Sequence, residues 1–149
     1  MRARGFTLIE LLVVLVIIGM ALTVVPTLLG SLPGSRLRAA ADDMVATLRE
    51  LRSQAVGSGR STALVVDPAS RSYDILPGGA RHRLPDVVTT VEVTVAEVTT
   101  GDPLLARRAE VFRFFPDGTA NGGVITLRHG NRFTIVTVEW PTGRVQLLK

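Results

Sequence analysis

Arg4-Gly5-Phe6-Thr7-Leu8-Ile9-Glu10 places one carboxylate at the head of an otherwise apolar run that ends near Val25. From Phe6 to Val25 the run is about twenty residues, roughly 30 Å as a helix, which is long enough to cross a bilayer. A charged side chain there costs about 2.5–3.5 kcal/mol on insertion scales, so Glu10 needs a partner or a way out. Ahead of the run stand only Met1 to Gly5, with two arginines, Arg2 and Arg4. That is shorter than an ordinary secretory signal, and no small-residue cleavage site follows the apolar core. Two cations before the helix predict an N-terminus that stays in the cytoplasm and a remainder that is exported.

The spacing Thr7-x-x-Glu10 also fits a capping box, in which the two side chains satisfy backbone donors at a helix start. Alternatively, Glu10 can reach the headgroup region, because it lies near the membrane surface. In its wider context, Gly5-Phe6-Thr7-Leu8-Ile9-Glu10-Leu11 resembles the class III signal of type IV pilins and type II secretion pseudopilins. The resemblance implies that a membrane-embedded prepilin peptidase cuts between Gly5 and Phe6 and methylates the new amino group of Phe6. It also makes Glu10 the acidic residue of that signal, four positions past the new terminus. The free amine would then sit at the membrane end of the helix. A carboxylate one turn along a neighbouring subunit could pair with it in low dielectric, where a matched pair is worth more than in water. On this reading Glu10 sets the register of subunits as they leave the membrane.

The chain has 149 residues, and removing Met1–Gly5 leaves 149 − 5 = 144. After the apolar helix, that is room for one small domain. Mean hydropathy is +0.33, raised by the helix and a valine-rich remainder. The pI near 10.9 hints at nucleic acid. However, Arg2 and Arg4 leave with the leader, so the formal charge falls from +4 to +2. A modest basic excess without clustered lysines is a solvated surface. Cysteine is absent, which excludes disulfides and thiolate metal sites and leaves the exported domain to its own core.

Four segments follow: a leader at 1–5, a membrane or filament-core helix at 6–30, an amphipathic helix at 31–59 and a β-rich domain at 60–149. Pro26 is expected to interrupt the first helix, with a break over Ser31 to Ser35. Ser35 is a candidate N-cap for the second. There Leu37, Ala41, Met44, Leu48, Leu51 and Ala55 recur at steps of four and three, one apolar stripe. Arg38, Asp42, Arg49, Arg52 and Ser53 occupy the other face, and Gly57 and Gly59 are stop signals. The stripe spans only about three heptads before strands begin, which favours a face lying on the protein's own sheet over a coiled-coil seam.

Beyond Gly59, expected strands are Thr62 to Val66, Ser72 to Leu76, Val87 to Val98, Val111 to Phe115, Val124 to Arg128, Arg132 to Trp140 and Arg144 to Leu148. In the third, Val91, Val93 and Val95 share one face, with Glu92 and Thr94 on the other. Asp67-Pro68-Ala69-Ser70 is a turn, Pro77-Gly78-Gly79 a loop and His129-Gly130-Asn131 a hairpin turn. The fold class is α+β: a long N-terminal helix whose second half packs on an antiparallel sheet or sandwich, as in pilins.

Phe114-Phe115-Pro116-Asp117-Gly118, Gly122-Gly123 and Trp140-Pro141-Thr142-Gly143-Arg144-Val145 resemble, in order and spacing, the end of the H-type minor pseudopilin domain. That domain is shared with minor pilins called FimT. Pro-Asp-Gly and Thr-Gly are turn formers in any family. Trp140 and the phenylalanines are read as core between sheet and helix.

No enzymatic motif emerges. His82 and His129 sit among arginines and loop residues, without the spacing of a metal site. Asp117-Gly118-Thr119-Ala120-Asn121 offers oxygen ligands for calcium but falls short of an EF-hand loop and reads as a turn. No cofactor is expected. The resemblance implies a minor pseudopilin of a type II secretion system, near the tip of a periplasmic filament that moves folded proteins toward the outer membrane. Its implied partners are the other minor pseudopilins, the major pseudopilin, the prepilin peptidase and the bacterial inner membrane. The alternative is a FimT-like pilin that binds DNA during uptake, with Arg128, Arg132, Arg144 and Lys149 on phosphates. Gln146-Leu147-Leu148 and the scarcity of aromatic residues speak against nucleic acid. A tethered enzyme or carrier would need converging polar groups for which the sequence offers no candidate.

Overall fold

The computed structural model describes residues 7–30, 33–96 and 110–148, with backbone alone for 21–30. Helix α1 spans Leu8–Gly30 and α2 spans Pro33–Ser58. The interruption expected at Pro26 is not seen, since helical backbone continues past it to Gly30. A proline removes one donor and leaves the rest of the ladder available. The expected break at 31–32 lies outside the described residues. Helix α2 opens at Pro33 rather than just after Ser35. Proline suits a first turn because its missing N–H had no partner there anyway. At the other end Gly59 adopts φ 66°, the left-handed conformation that terminates a helix.

Eight strands follow α2 and form two sheets. The first contains β1 (Thr62–Asp67), β2 (Ser72–Leu76), β3 (Ala80–Arg83) and β5 (Glu110–Phe114) in the order β3-β2-β1-β5. The second contains β4 (Thr90–Val95), β6 (Gly123–His129), β7 (Arg132–Glu139) and β8 (Arg144–Leu148) in the order β4-β6-β7-β8. All neighbouring strands are antiparallel. Helix α2 lies across both sheets, touching β1 and β5 of one and β6, β7 and β8 of the other. Its stripe supplies the centre of the core: Leu37, Ala41, Met44, Leu48, Leu51 and Ala55 are all buried, joined by Ala40 and Val45. Facing them are Leu64, Val66, Phe112, Phe114, Ile125, Leu127, Val136 and Val145.

Several details depart from the sequence expectation. Strand β3 follows the expected Pro77-Gly78-Gly79 loop and was not among the expected strands. Ala80-Arg81-His82-Arg83 is exposed throughout and has no apolar alternation, so only its pairing with β2 makes it a strand. That pairing brings a bidentate Arg81–Asp74 contact at 3.0 Å and stacks His82 on Tyr73 at 5.2 Å. Strand β4 starts at Thr90 instead of Val87, because the Val88 N–H turns back to the Pro85 carbonyl. Its expected end, Val98, lies outside the described residues. The alternation within it is as expected, with Val91 buried and Glu92 and Thr94 exposed.

The assignment of every phenylalanine and Trp140 to the core is corrected. Phe112 and Phe114 are fully buried, but Trp140 is 69% exposed, Phe133 49% and Phe115 37%. Strand parity explains two of these. Phe115 is out of phase with inward Phe112 and Phe114, and Phe133 is out of phase with inward Val136 and Val138. Trp140 follows the last residue of β7 and belongs to a turn.

Candidate functional site

The N-terminal end of α1 is built by its own side chains. The Thr7 N–H donates to Glu10 Oε2 at 3.5 Å, and the Glu10 N–H donates to Thr7 Oγ1 at 3.3 Å, a reciprocal capping box. Both distances are longer than the usual 2.7–3.2 Å range for N–H···O bonds. Gly5 and Phe6, the expected cut and methylation positions, lie outside the described residues. From Leu8 to Ile18 the large apolar side chains of the helix are exposed on all sides. Among the described side chains no helix is long and apolar enough to cross a membrane. The backbone helix nevertheless continues through an uncharged sequence to Gly30, 23 residues in all, or about 35 Å.

At the far end of the domain, two turns meet the outer edge of α2. Arg52 Nε donates to the Gly118 carbonyl at 3.0 Å, and Arg49 donates to the Val145 carbonyl at 3.0 Å. Gly143 has φ 63° and packs so closely that an added Cβ would lie 2.6 Å from the Gly118 oxygen. Gly122 similarly backs onto Trp140, and Gly123 onto Thr94 and Phe112. Arg144 forms a two-pronged contact with Glu139 at 3.0 Å, and Gln146 adds a third bond to the same carboxylate at 2.7 Å. Hydrogen bonding to Arg144 holds the Glu139 carboxyl below the usual range, and Arg81 does the same for Asp74. Between α2 and β8 these residues leave an open cleft of about 710 Å³ lined by Arg49, Arg52, Ser53 and Gly143 to Gln146. The Gly118 and Gly143 turns are therefore joined to each other and to α2. Arg49 and Arg52, placed by the sequence opposite the apolar stripe, are structural donors that only the tertiary contact reveals.

Of the basic residues considered for phosphate contact, the three described ones do not form one patch. Arg128 and Arg132 lie at the tip of the β6–β7 hairpin, where Arg128 pairs with Glu92 at 3.0 Å and covers the Phe133 ring at 5.4 Å. Arg144 sits at the opposite end of β7, beside Glu139, about 23 Å away at strand rise. Lys149 lies outside the described residues. His129 is not a free turn residue, as its Nδ1 is 2.7 Å from the Val87 carbonyl. Among the described residues, no group of histidines and carboxylates is arranged to hold a metal. Asp117 Oδ1 is occupied by the Thr119 N–H and hydroxyl at 2.9 and 2.7 Å, as in an ordinary Asx turn.

An exposed, capped apolar helix leading into a helix-on-two-sheets domain can be compared with known proteins. The family model for the type II transport protein GspH matches residues 40–143. The chain belongs to the GspH family and is an H-type minor pseudopilin. The prokaryotic N-terminal methylation motif matches residues 1–26 of this pseudopilin. Type II secretion system protein H of Xanthomonas campestris pv. campestris is 34% identical to it over 148 residues, covering 97% of this chain and 83% of the relative. In fold, the pseudopilin is similar to the minor pseudopilin EpsH of Vibrio cholerae, with a TM-score of 0.58, 13% identity and coverage of 76% and 96%. It is also similar to the type IV minor pilin FimU of Pseudomonas aeruginosa, with a TM-score of 0.55, 18% identity and coverage of 76% and 88%. Those two likenesses concern the pilin-like α+β fold alone.

Proposed function

We propose that this minor pseudopilin enters the type II secretion pseudopilus through α1, after cleavage between Gly5 and Phe6 and methylation of Phe6. The observation that carries this reading is the exposed apolar surface of α1 from Leu8 to Ile18, with Glu10 at its first turn. An apolar cylinder of this length is stable either in lipid or against copies of the same element. In lipid, before assembly, it anchors the chain in the inner membrane, with residues 1–5 cytoplasmic and the 60–149 domain periplasmic. In the filament, α1 packs among the helices of its neighbours. There Glu10 exchanges its long capping bonds for the amine of an adjacent subunit, and an axial register results. The domain's exposed surfaces select the other minor pseudopilins and the major pseudopilin near the tip. Its role is structural and not catalytic, without cofactor, and the mechanical result is movement of folded proteins toward the outer membrane.

The test combines processing and assembly. Mass spectrometry of membrane-extracted protein should show a chain that begins at N-methylated Phe6. Glu10→Ala should be trimmed normally yet fail to co-purify with the assembled filament. Normal assembly of Glu10→Ala would remove the register role. An intact leader in cells that contain the peptidase would remove the filament reading altogether.

A further inference from the structure

The end of the domain at the start of α2 carries an exposed surface that combines cationic and apolar side chains. Gly34, in the first turn of α2, lies so close to the β6–β7 hairpin that an added Cβ would be 2.7 Å from Arg132 Nη1. Gly34 stands only four positions after Gly30, the end of α1, at most about 14 Å of chain. The hairpin tip therefore sits beside the start of α2, a short length of chain from the end of α1. Around that point Phe133 is 49% and Leu148 45% exposed, and with Arg38 and Arg132 they border an open hollow of about 440 Å³. The first turn of α2 contains no acid, although a helix start favours one. Arg38, with its side chain 52% exposed, is the cation of α2 that borders the hollow there. Arg38 approaches Asp42 only to 3.8 Å.

We propose that this end, centred on Arg132 and Phe133, rests on the anionic lipid surface from which α1 emerges while the subunit waits in the membrane. The proposal rests on the reading of α1 as the membrane anchor. Apolar tips ringed by long cationic side chains suit the headgroup boundary, where the rings enter and the guanidinium groups meet phosphates. The positive end of the α2 dipole adds to the same attraction. Docking there holds the domain in one orientation before extraction, and leaving the membrane uncovers the hairpin.

Because the chain has no cysteine, single engineered cysteines report one position each. Full-length protein in lipid nanodiscs is labelled with an environment-sensitive dye at Asn131→Cys, in the hairpin turn, or at Val56→Cys. Val56 is exposed near the far end of α2, about 33 Å along the helix. With nitroxide lipids labelled near the headgroup, the Asn131 probe should be quenched more strongly than the Val56 probe. Arg132→Glu should weaken this docking about tenfold, and high salt should weaken it too. Equal quenching at both positions overturns the docking, as does an Asn131 probe shielded only when another pseudopilin is added. A third probe at Leu15→Cys separates the two readings. Leu15 buried in lipid with Asn131 in water defeats the docking alone, whereas Leu15 in water defeats the anchor and the docking with it.

Discussion

Gly143→Ala is the substitution that most directly tests how the two C-terminal turns are joined to α2. Gly143 has φ 63°, in the left-handed region. Placing an L side chain there costs about 1–2 kcal/mol. The new methyl would also lie 2.6 Å from the Gly118 carbonyl oxygen and 3.0 Å from Arg52 Nε. Arg52 can move, but Gly118 is backbone and the Arg52–Gly118 bond at 3.0 Å would be displaced with it. Overpacking of this kind adds about 1–3 kcal/mol, for a total of about 2–5 kcal/mol. Gly130→Ala is the matched control. It has φ 56° but open space around its Cβ position, so it should lose only the backbone component. Urea unfolding of the full chain in detergent, followed by circular dichroism, measures both. Gly143→Ala should be less stable than Gly130→Ala by about 1–3 kcal/mol. Equal losses in the two variants would refute the claim that the Gly143–Gly118 approach is a tight structural weld.

Leu48 is fully buried at the centre of α2. Leu48→Ala should lower unfolding stability by about 3–5 kcal/mol in the same assay, while Val56→Ser on the exposed end of the helix should change it little. Acid should also weaken the domain. Asp74 and Glu139 are held below the usual carboxylate range by Arg81 and Arg144, so the folded state binds protons less readily than the unfolded chain. Their contribution is present above the ordinary carboxylate pKa near 4 and is lost as pH falls through their lowered values. Unfolding midpoints should thus be flat near neutrality and fall below about pH 4, and Asp74→Asn should flatten that fall. Finally, a gel shift at low salt should show no retardation of duplex DNA, because Arg144 lies far from Arg128 and Arg132 and is already held by Glu139. Salt-sensitive binding abolished by Arg132→Ala would reverse that expectation.

Much of the architecture was legible because it depends on local periodicity. The α2 stripe from Leu37 to Ala55 was readable at steps of four and three, and it is the buried face. Strands β2 and β8 matched the expected bounds of Ser72 to Leu76 and Arg144 to Leu148. The capping box at Thr7 and Glu10 is a contact over three residues, and sequence alone could state both its partners. Aromatic placement was less legible. Hydrophobicity put Phe115, Phe133 and Trp140 inside, but strand phase and strand ends put them outside.

Sequence by itself determined the apolar N-terminal helix with its single acid, the order of helix before strands, and the turn formers that punctuate the sheets. Each of these follows from interactions between residues a few positions apart. Only the tertiary structure decided that Ala80–Arg83 becomes an edge strand and that Arg49 and Arg52 hold distant carbonyls. It alone set Arg132 beside the start of α2. Those outcomes depend on pairing across long stretches of chain, where partner and register are set by packing the whole core and not by any local pattern.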